Sequence, residues 1–408
     1  MRSKVTPDVF DPRIFAAGIP HESLRLLRDE EPVSWQPEHE VGIWPAGPGF
    51  WAVTRYADVR TVLRTPADFS SSLGATQIRD PDPADLPFLR RMILNMDPPE
   101  HMRLRRLVTG AFSRRRLETF AATVRARAER LLDGLRREGG GDLTAVTDDF
   151  PLQNLADLLG VPAEDRAQLL HWTNRVIGYQ DPEHATVVTD AEGEPVNPRS
   201  PAQLADMFGY ADRLAATKRR EPADDVMSAL AHGGDLTGPE LQMFFFLLVV
   251  AGNDTVRSAL PGGLLALLDH PEEHARLRAD HALLPSAIEE LLRWHPPVLT
   301  FRRTATRDLE LGGRRIAAGD KVVVYHVSAH YDERRFPDPL RLDLARADND
   351  HLAFGQGPHL CLGAAFARLQ LREFHSALLA LPPLRPAGEP RRLTSNFING
   401  VTRLPVEW

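Results

Sequence analysis

The only cysteine of the chain, Cys361, lies in a loop that could present its sulfur to a metal ion. Residues 351–363 read HLAFGQGPHLCLG, and a helix-forming run at 364–372 follows directly. The glycines allow the backbone to approach a large planar ligand, and the N-terminus of the following helix favours an ionised thiolate. A thiolate held in this way is suited to bind a soft metal ion. Without such a loop, a lone cysteine would more simply be a small buried apolar residue.

A second pair of candidate residues, Asp254 and Thr255, follows the longest apolar run of the chain, 243–252. That run predicts a buried helix, and a carboxylate buried there is costly unless it is paired or used. A hydroxyl beside a carboxylate can pass protons through water to a reacting group. The alternative is a bent or capped core helix in which Gly252 is a packing site.

Two shorter patterns place charged residues on single helix faces. His101 and Arg105 stand four residues apart after the punctuation Asp97-Pro-Pro, so they share a face that suits carboxylates. Glu290 and Arg293 stand three residues apart and can form an ion pair, although such pairs are usually solvated surface contacts. In isolation, both patterns are also typical of ordinary surface helices with no functional role.

The elements that must position these residues are mostly helices. Amphipathic periodicity predicts helices at about 114–136, 163–178, 201–220 and 238–268, and strand-like runs occur at 309–316 and 321–325. The fold class is therefore mainly α with a minor β region. No internal repeat or low-complexity linker divides the chain, so we expect one large fold.

Composition excludes several classes of protein. With 43% hydrophobic and 26% charged residues, the 408-residue chain is neither disordered, fibrous nor a coiled coil. One cysteine excludes a disulfide framework and any cysteine-only zinc or iron–sulfur site. The net charge of -7 disfavours nucleic acid as the main partner. The N-terminus lacks a signal sequence and the longest apolar run is too short to span a bilayer, so we expect a cytoplasmic protein with no membrane anchor.

The loop around Cys361 resembles the haem-binding loop of the cytochrome P450 family, which reads Phe-Gly-x-Gly-x-His/Arg-x-Cys-x-Gly. Every fixed position matches, from Phe354 to Gly363. The resemblance implies that Cys361 is the axial thiolate of haem b, that Phe354 and Gly355 pack beside it, and that His359 reaches a haem propionate. A thiolate ligand pushes electron density onto the iron and favours O–O cleavage.

Ala251-Gly-Asn-Asp-Thr255 resembles the distal-helix motif of the same family. The resemblance implies that Ala251 and Gly252 lie beside the haem and that Asp254 and Thr255 deliver protons during dioxygen activation. It also assigns His101 and Arg105 to the haem propionates. Arg303 aligns with a third propionate arginine, although the adjacent Arg302 could take its place.

Glu290-Leu-Leu-Arg293 corresponds to the Glu-x-x-Arg motif of the family, whose expected role is to hold the region before Cys361. Arg341, in the segment Phe336-Pro-Asp-Pro-Leu-Arg341, is expected to complete this ion network. The resemblance also implies a substrate pocket, covered by the segments 70–94 and 180–200. Its expected lining residues are Val249, Val250, Ala251, Val298, Leu299, Phe301, Phe397 and Ile398.

The resemblance covers essentially the whole chain and implies a single cytochrome P450 domain over residues 1–408. Its β-rich parts are expected at roughly 30–95 and 298–330, and its helical haem-binding parts at roughly 97–295 and 351–385. A second, weaker resemblance is to bacterial members that oxidise steroids, terpenoids or branched lipids.

The implied activity is a monooxygenase that hydroxylates a largely apolar small molecule, with dioxygen and two externally supplied electrons. One alternative is oxidative coupling or ring closure in natural-product assembly, and a lesser one is a non-catalytic haem carrier or sensor. The Asp254-Thr255 pair disfavours the carrier, which needs no proton relay.

Because no redox segment is attached, electrons from NAD(P)H should arrive through a separate ferredoxin and ferredoxin reductase. We expect the enzyme to be a monomer. The arginines expected to face such a partner are Arg103, Arg106, Arg114, Arg115, Arg116, Arg368 and Arg372.

Overall fold

Helices form most of the computed structural model, which describes residues 6–41, 45–177, 188–189, 195–196, 200, 202–233 and 235–408. The helices are α1 (Pro12–Ala16), α2 (His21–Glu30), α3 (Tyr56–Arg64), α4 (Leu86–Leu89), α5 (Glu100–Thr109), α6 (Arg114–Thr119), α7 (Ala121–Arg137), α8 (Leu143–Leu159), α9 (Arg166–Ile177), α10 (Ala205–Arg220), α11 (Val226–His232), α12 (Gly238–Asp269), α13 (Pro271–Ala279), α14 (Leu284–Trp294), α15 (His326–Ala329) and α16 (Ala364–Leu379).

Short strands make up the minor β region. They are β1 (Val33–Glu38), β2 (Gly47–Val53), β3 (Phe69–Ser70), β4 (Gly140–Asp142), β5 (Val188–Thr189), β6 (Pro195–Val196), β7 (Thr300–Ala305), β8 (Leu309–Leu311), β9 (Arg314–Ile316), β10 (Lys321–Tyr325), β11 (Arg385–Pro386), β12 (Arg391–Arg392), β13 (Val401–Arg403) and β14 (Pro405–Glu407). The predicted fold class, mainly α with a minor β region, is confirmed. The segment 180–200, predicted to cover the pocket entrance, lies outside the described residues apart from β5, β6 and Ser200.

The longest helix, α12, runs through the centre of the core. A capping box begins it: the Thr237 hydroxyl accepts from the Glu240 N–H, and the Glu240 carboxylate accepts from the Thr237 N–H. The helix continues through Pro261 to Asp269. By length and composition it could cross a membrane, but 67% of its most apolar window is buried inside the protein. Its apolar run is therefore that of a core helix.

Two large apolar clusters hold α12 between neighbouring helices. One cluster joins it to α8, α9 and α10 and contains Trp172 and Phe245, whereas the other joins it to α14 and α16 and contains Phe374. Near its C-terminal end, Gly262 has no room for a side chain, because a Cβ there would overlap the His295 ring. That ring is fixed by a hydrogen bond to the Asn399 carbonyl oxygen at 2.9 Å.

Five of the strands form one sheet, in the order β1-β2-β10-β7-β3. Strand β10 runs parallel to β2 and antiparallel to β7, with Arg303 opposite Val322 and Phe301 opposite Val324. Because side chains alternate along a strand, Phe301 and Arg303 share one face of the sheet and Arg302 points to the other. The strands at the C-terminal end, β11 to β14, lie outside the β-rich segments expected from the sequence.

Candidate active site

The loop before Cys361 is fixed by its own backbone and by α3. The Cys361 N–H donates to the Phe354 carbonyl oxygen at 2.9 Å, and Gly355 has a left-handed φ of 69°. Gly357 is also left-handed, and a Cβ there would lie 2.6 Å from the Leu63 carbonyl oxygen at the end of α3. Gly357 therefore serves the contact with α3 rather than the approach of a ligand, which the sequence had suggested for all the loop glycines.

The surroundings of the Cys361 thiol indicate an internal space beside it. Its side chain is accessible to solvent, yet burial raises the pKa of the thiol, so the sulfur is surrounded by protein without being covered by it. The Gly363 N–H and the guanidinium groups of Arg105 and Arg368 act in the opposite direction and lower this pKa. An ionised sulfur at this place requires further stabilisation, which a bound metal ion supplies.

Arg368 ties the loop to α14 and α16. Its guanidinium makes two hydrogen bonds to the Glu289 carboxylate, both at 2.7 Å, and lies 4.3 Å from the centre of the Phe354 ring. His351 reaches the same carboxylate at 3.0 Å. These contacts fix the position of the Phe354 ring in the loop that leads to Cys361.

Basic side chains from three separate elements meet near Cys361. The His101 ring of α5 lies 4.1 Å from the His359 ring, centre to centre. The pKa of His359 is lowered to about 3, mainly by burial and in addition by the neighbouring Arg303 and His101. Arg105 is half-buried and close enough to Cys361 for their charges to interact. The structure thus brings together His101, Arg105, Arg303 and His359, all of which the sequence singled out.

Arg303, and not Arg302, belongs to this basic cluster. Burial lowers the pKa of Arg303 to about 10, and its guanidinium makes one hydrogen bond to a described residue, the Arg302 carbonyl oxygen at 2.9 Å. Arg302 lies on the opposite face of β7 and pairs with Asp80 at 2.6 Å. The register of the sheet therefore favours Arg303 as the arginine that faces the internal space.

The cluster has too little negative charge of its own. Asp97 is close to it, but its carboxylate is already bound by the Ser70 and Ser72 hydroxyls and the Ser71 N–H. The buried Nδ1 of His101 has no hydrogen-bond partner within the part of the chain that the structure describes. The Arg105 and Arg303 guanidinium groups stay charged, and burying them without an anionic partner is costly, so the space calls for a ligand that carries carboxylates.

A haem group fits these residues. Its two propionates would pair with the basic cluster, and its iron would take the Cys361 sulfur as ligand. When bound, haem would supply the iron redox chemistry that activates dioxygen. The sequence analysis missed the buried His326, whose ring lies 5.8 Å from that of Phe301, centre to centre. Both of its ring nitrogens lack hydrogen-bond partners among the described residues. No local pattern marks it, because only the pairing of β10 with β7 brings it there.

On α12, the candidate relay residues adopt two different environments. The Thr255 hydroxyl donates to the Ala251 carbonyl oxygen at 3.0 Å, and Ala251 is exposed although it lies in the middle of a core helix. Asp254 is buried, and burial raises the pKa of its carboxyl to about 8. Gly252 packs against α8, where a Cβ would lie 3.1 Å from Leu155.

The prediction that Val249 and Leu299 line the pocket is wrong. Val249 is fully buried in the apolar cluster around α12, because successive helical residues point about 100° apart and three in a row cannot share a face. Leu299 is fully buried among the apolar residues behind the sheet. Val250, Phe301 and Phe397 are only partly buried.

The remaining residues predicted to line the pocket differ in how much of their side chains is accessible. The rings of Phe301 and Phe397 lie 5.6 Å apart, centre to centre. Val298 and Ile398 form a single β-bridge and are 8% and 4% exposed. We therefore expect the two phenylalanines, with Val250 and Ala251, to present more surface to a ligand than this bridge does.

The ion network around Glu290 also differs from the expectation. Glu290 and Arg293 are fully buried and make two hydrogen bonds at 2.8 Å. The second arginine on Glu290 is Arg346, at 3.0 Å, whereas the predicted Arg341 is exposed. The prediction failed because the chain between these two arginines folds back, so that Arg346 also bonds the Arg341 carbonyl oxygen.

Comparison with known proteins agrees with this site. A sequence model of the cytochrome P450 family matches residues 210–381. The chain is 40% identical over 397 residues to a methyl-branched lipid omega-hydroxylase of Mycobacterium tuberculosis, covering 95% of this chain and 90% of that protein. It is 35% identical over 414 residues to a steroid C26-monooxygenase of Rhodococcus jostii, covering 98% and 84%.

A solved structure leads to the same class. The chain superposes on a Mycobacterium marinum cytochrome P450 in complex with pseudoionone with a TM-score of 0.86 and 38% identity, covering 100% of both chains. The fold and site therefore define a haem-thiolate monooxygenase. The chain belongs to the cytochrome P450 family, and the predicted fold, enzyme class and cofactor, haem b with electrons derived from NAD(P)H, are confirmed.

The corrected ion network predicts a difference between two arginines. Replacing Arg346 with alanine leaves the buried Glu290 carboxylate one cation short and should lower the free energy of unfolding by about 2–3 kcal/mol. The matched change Arg341→Ala removes an exposed side chain and should cost less than about 0.5 kcal/mol. Urea unfolding of the haem-loaded proteins, followed by tryptophan fluorescence, measures both. Equal losses in the two variants would contradict the assignment.

Proposed function

We propose that this enzyme hydroxylates a largely apolar lipid of moderate to large size, such as a steroid, a terpenoid or a branched-chain lipid. The observation that carries the proposal is the kind of side chain left accessible around the internal space. Ala251 is exposed on α12, and Val250, Phe301 and Phe397 are only partly buried. These four side chains offer apolar surface, which suits a guest held mainly by burial of its own apolar surface.

The names of similar proteins support a more specific proposal about which carbon of the substrate is oxidised. One is named for omega-hydroxylation of methyl-branched lipids and another for oxidation at steroid C26, and both names describe the end of a branched aliphatic chain. A third is bound to pseudoionone. We therefore propose that the terminal carbon of a branched chain is the position oxidised by this enzyme.

Thr255 and Asp254 are proposed to move protons in this reaction. The Thr255 hydroxyl donates to the carbonyl oxygen of the exposed Ala251, where we expect the buried helix to meet the internal space. A neutral Asp254 carboxyl directly before it can donate a proton through water. Since burial raises the pKa of Asp254 to about 8, the carboxyl holds its proton at neutral pH and loses it as the pH rises above that value.

A separate ferredoxin and its reductase are the proposed electron donors. Several of the arginines expected to face this partner are paired within the chain: Arg103 with Glu100 and Glu240, Arg116 with Asp224, Arg368 with Glu289, and Arg372 with Glu373. Arg106 and Arg115 are exposed, and Leu360, which precedes Cys361, is 46% exposed. These three residues are therefore the better candidates to contact a transient acidic partner.

Two measurements test the proposed activity. A library of steroids, terpenoids and branched fatty acids is screened for the shift of the Soret band that follows substrate binding, and the best binder is then turned over with labelled dioxygen. We expect one labelled oxygen atom in a terminally hydroxylated product. A coupled or cyclised product without label would instead support oxidative coupling.

Replacing Thr255 with alanine should preserve haem and substrate binding but lower the yield of product per electron consumed. The reason is that the variant removes the hydroxyl between Asp254 and the internal space while leaving the apolar walls intact. We expect a loss of about 10-fold or more in this ratio, within the range for general acid catalysis, with hydrogen peroxide as the alternative product. A ratio equal to that of the wild type would reject the relay.

Enlarging Ala251 to phenylalanine should weaken the binding of large substrates, because the new ring would fill the space that this exposed position faces. The dissociation constants of a graded series of steroids and branched lipids provide the measurement. Affinity should fall more as the substrate grows, while small guests are affected little and the ferrous carbon monoxide spectrum stays unchanged. Unaltered affinity across the series would show that this position does not line the pocket.

A further inference from the structure

Arg257 lies between two carboxylates in different environments. Its Nε and Nη2 atoms donate to Asp148 of α8 at 2.6 and 2.9 Å. Its Nη1 atom is 3.8 Å from Oδ1 of Asp254, one turn earlier on α12. The guanidinium therefore makes a close two-point contact with Asp148 and only a distant one with Asp254.

The two carboxylates differ in their access to water. The Asp148 side chain is 35% exposed and the Arg257 side chain 29%, so their pair is in contact with solvent. The Asp254 side chain is 5% exposed, and its Oδ2 has no hydrogen-bond partner among the described residues. Asp254 is thus a buried acid whose nearest cation is turned towards another group.

We propose that Asp148 is a positioning residue for the proton relay: by holding Arg257 on the solvent side, it prevents the guanidinium from closing onto Asp254 and leaves that carboxyl neutral. The inference deepens the proposed function, since it concerns the acid of the same relay. A neutral carboxyl can donate a proton, whereas a carboxylate paired with an arginine cannot.

The charges around Asp254 support this competition. Burial raises the pKa of Asp254, the Arg257 guanidinium on the same helix lowers it, and the Asp148 carboxylate of α8 raises it again. These are the described charged groups that act on it. If Arg257 moved from 3.8 Å to normal ion-pair distance, the gain in Coulomb energy at an effective dielectric constant of about 20 would lower the pKa by about one unit or more.

The proton balance of the step is simple. Asp254 releases its proton towards water beside Thr255 and regains one from bulk solvent along the exposed Asp148–Arg257 side. The residue is unchanged after each turnover and no electron passes through it. Arg257 and Asp148 remain paired and charged throughout, so they touch neither substrate nor reacting atoms.

A purely structural role for the pair would have a different signature. If Arg257 and Asp148 only fasten α8 to α12, loss of either partner should loosen the same contact and shift the Asp254 titration in the same direction. In the proposed arrangement the two losses act oppositely. Asp148→Asn removes the carboxylate that holds Arg257 away from Asp254 and lowers the Asp254 titration midpoint, whereas Arg257→Gln removes the cation and raises that midpoint.

Infrared titration of the haem-loaded protein tests the proposal. The carbonyl stretch of the neutral Asp254 carboxyl is assigned by its loss in Asp254→Asn and is followed against pH. We expect it in the wild type at pH 7, with the midpoint about one pH unit or more lower in Asp148→Asn and higher in Arg257→Gln. The control Asp149→Asn removes the same charge from the neighbouring residue, whose carboxylate bonds Gln153, and should leave the midpoint unchanged.

Two results would overturn the proposal: a wild-type protein without the neutral carboxyl band at pH 7, or midpoints that stay fixed or move in the same direction in both variants. Product yield per electron, measured against pH, separates this question from the proposed function. If the infrared midpoints shift as expected but the yield does not follow them, Asp148 positions Arg257 as inferred and the relay itself is wrong.

Discussion

The arrangement of the site depends on an excess of buried positive charge beside one thiol. His101, Arg105 and Arg303 come from a helix and a strand far apart in the chain, and they converge with His359 near Cys361. Such a cluster is costly without carboxylates, and a thiolate is costly without a metal. A single group that supplies both, haem, removes both costs, so the cofactor and the surrounding fold stabilise each other.

The candidate relay residues obey a different constraint. Helix α12 is apolar on nearly all sides and is buried in the core, yet it is accessible at Ala251 and carries an acid at Asp254. The acid is tolerated there because it can stay neutral, since burial raises its pKa to about 8. The basic cluster is therefore suited to hold negative charge, and in the proposed function Asp254 keeps a proton available beside an apolar guest.

Sequence reasoning predicted the local features of this site well and the long-range ones less well. The Cys361 loop, α12 and the pair Glu290–Arg293 could be predicted because their spacing within one segment defines them. Arg346 could not, because its contact with Glu290 depends on how a loop folds back. Likewise, the choice of Arg303 over Arg302 follows from the register of β7 against β10, which only the folded sheet fixes. Leu299 was misplaced because its burial behind that sheet is set by tertiary packing.

The most direct test of the central claim is the spectrum of the ferrous carbon monoxide complex of Cys361→Ser. The wild-type protein should show the red-shifted Soret band of thiolate-ligated haem. The variant should lose this band while keeping its helical circular dichroism, because a neutral hydroxyl is a poor iron ligand whereas the basic cluster that we expect to hold the propionates is intact. A variant that keeps the wild-type band would contradict the assignment of Cys361 and, with it, the account of the site.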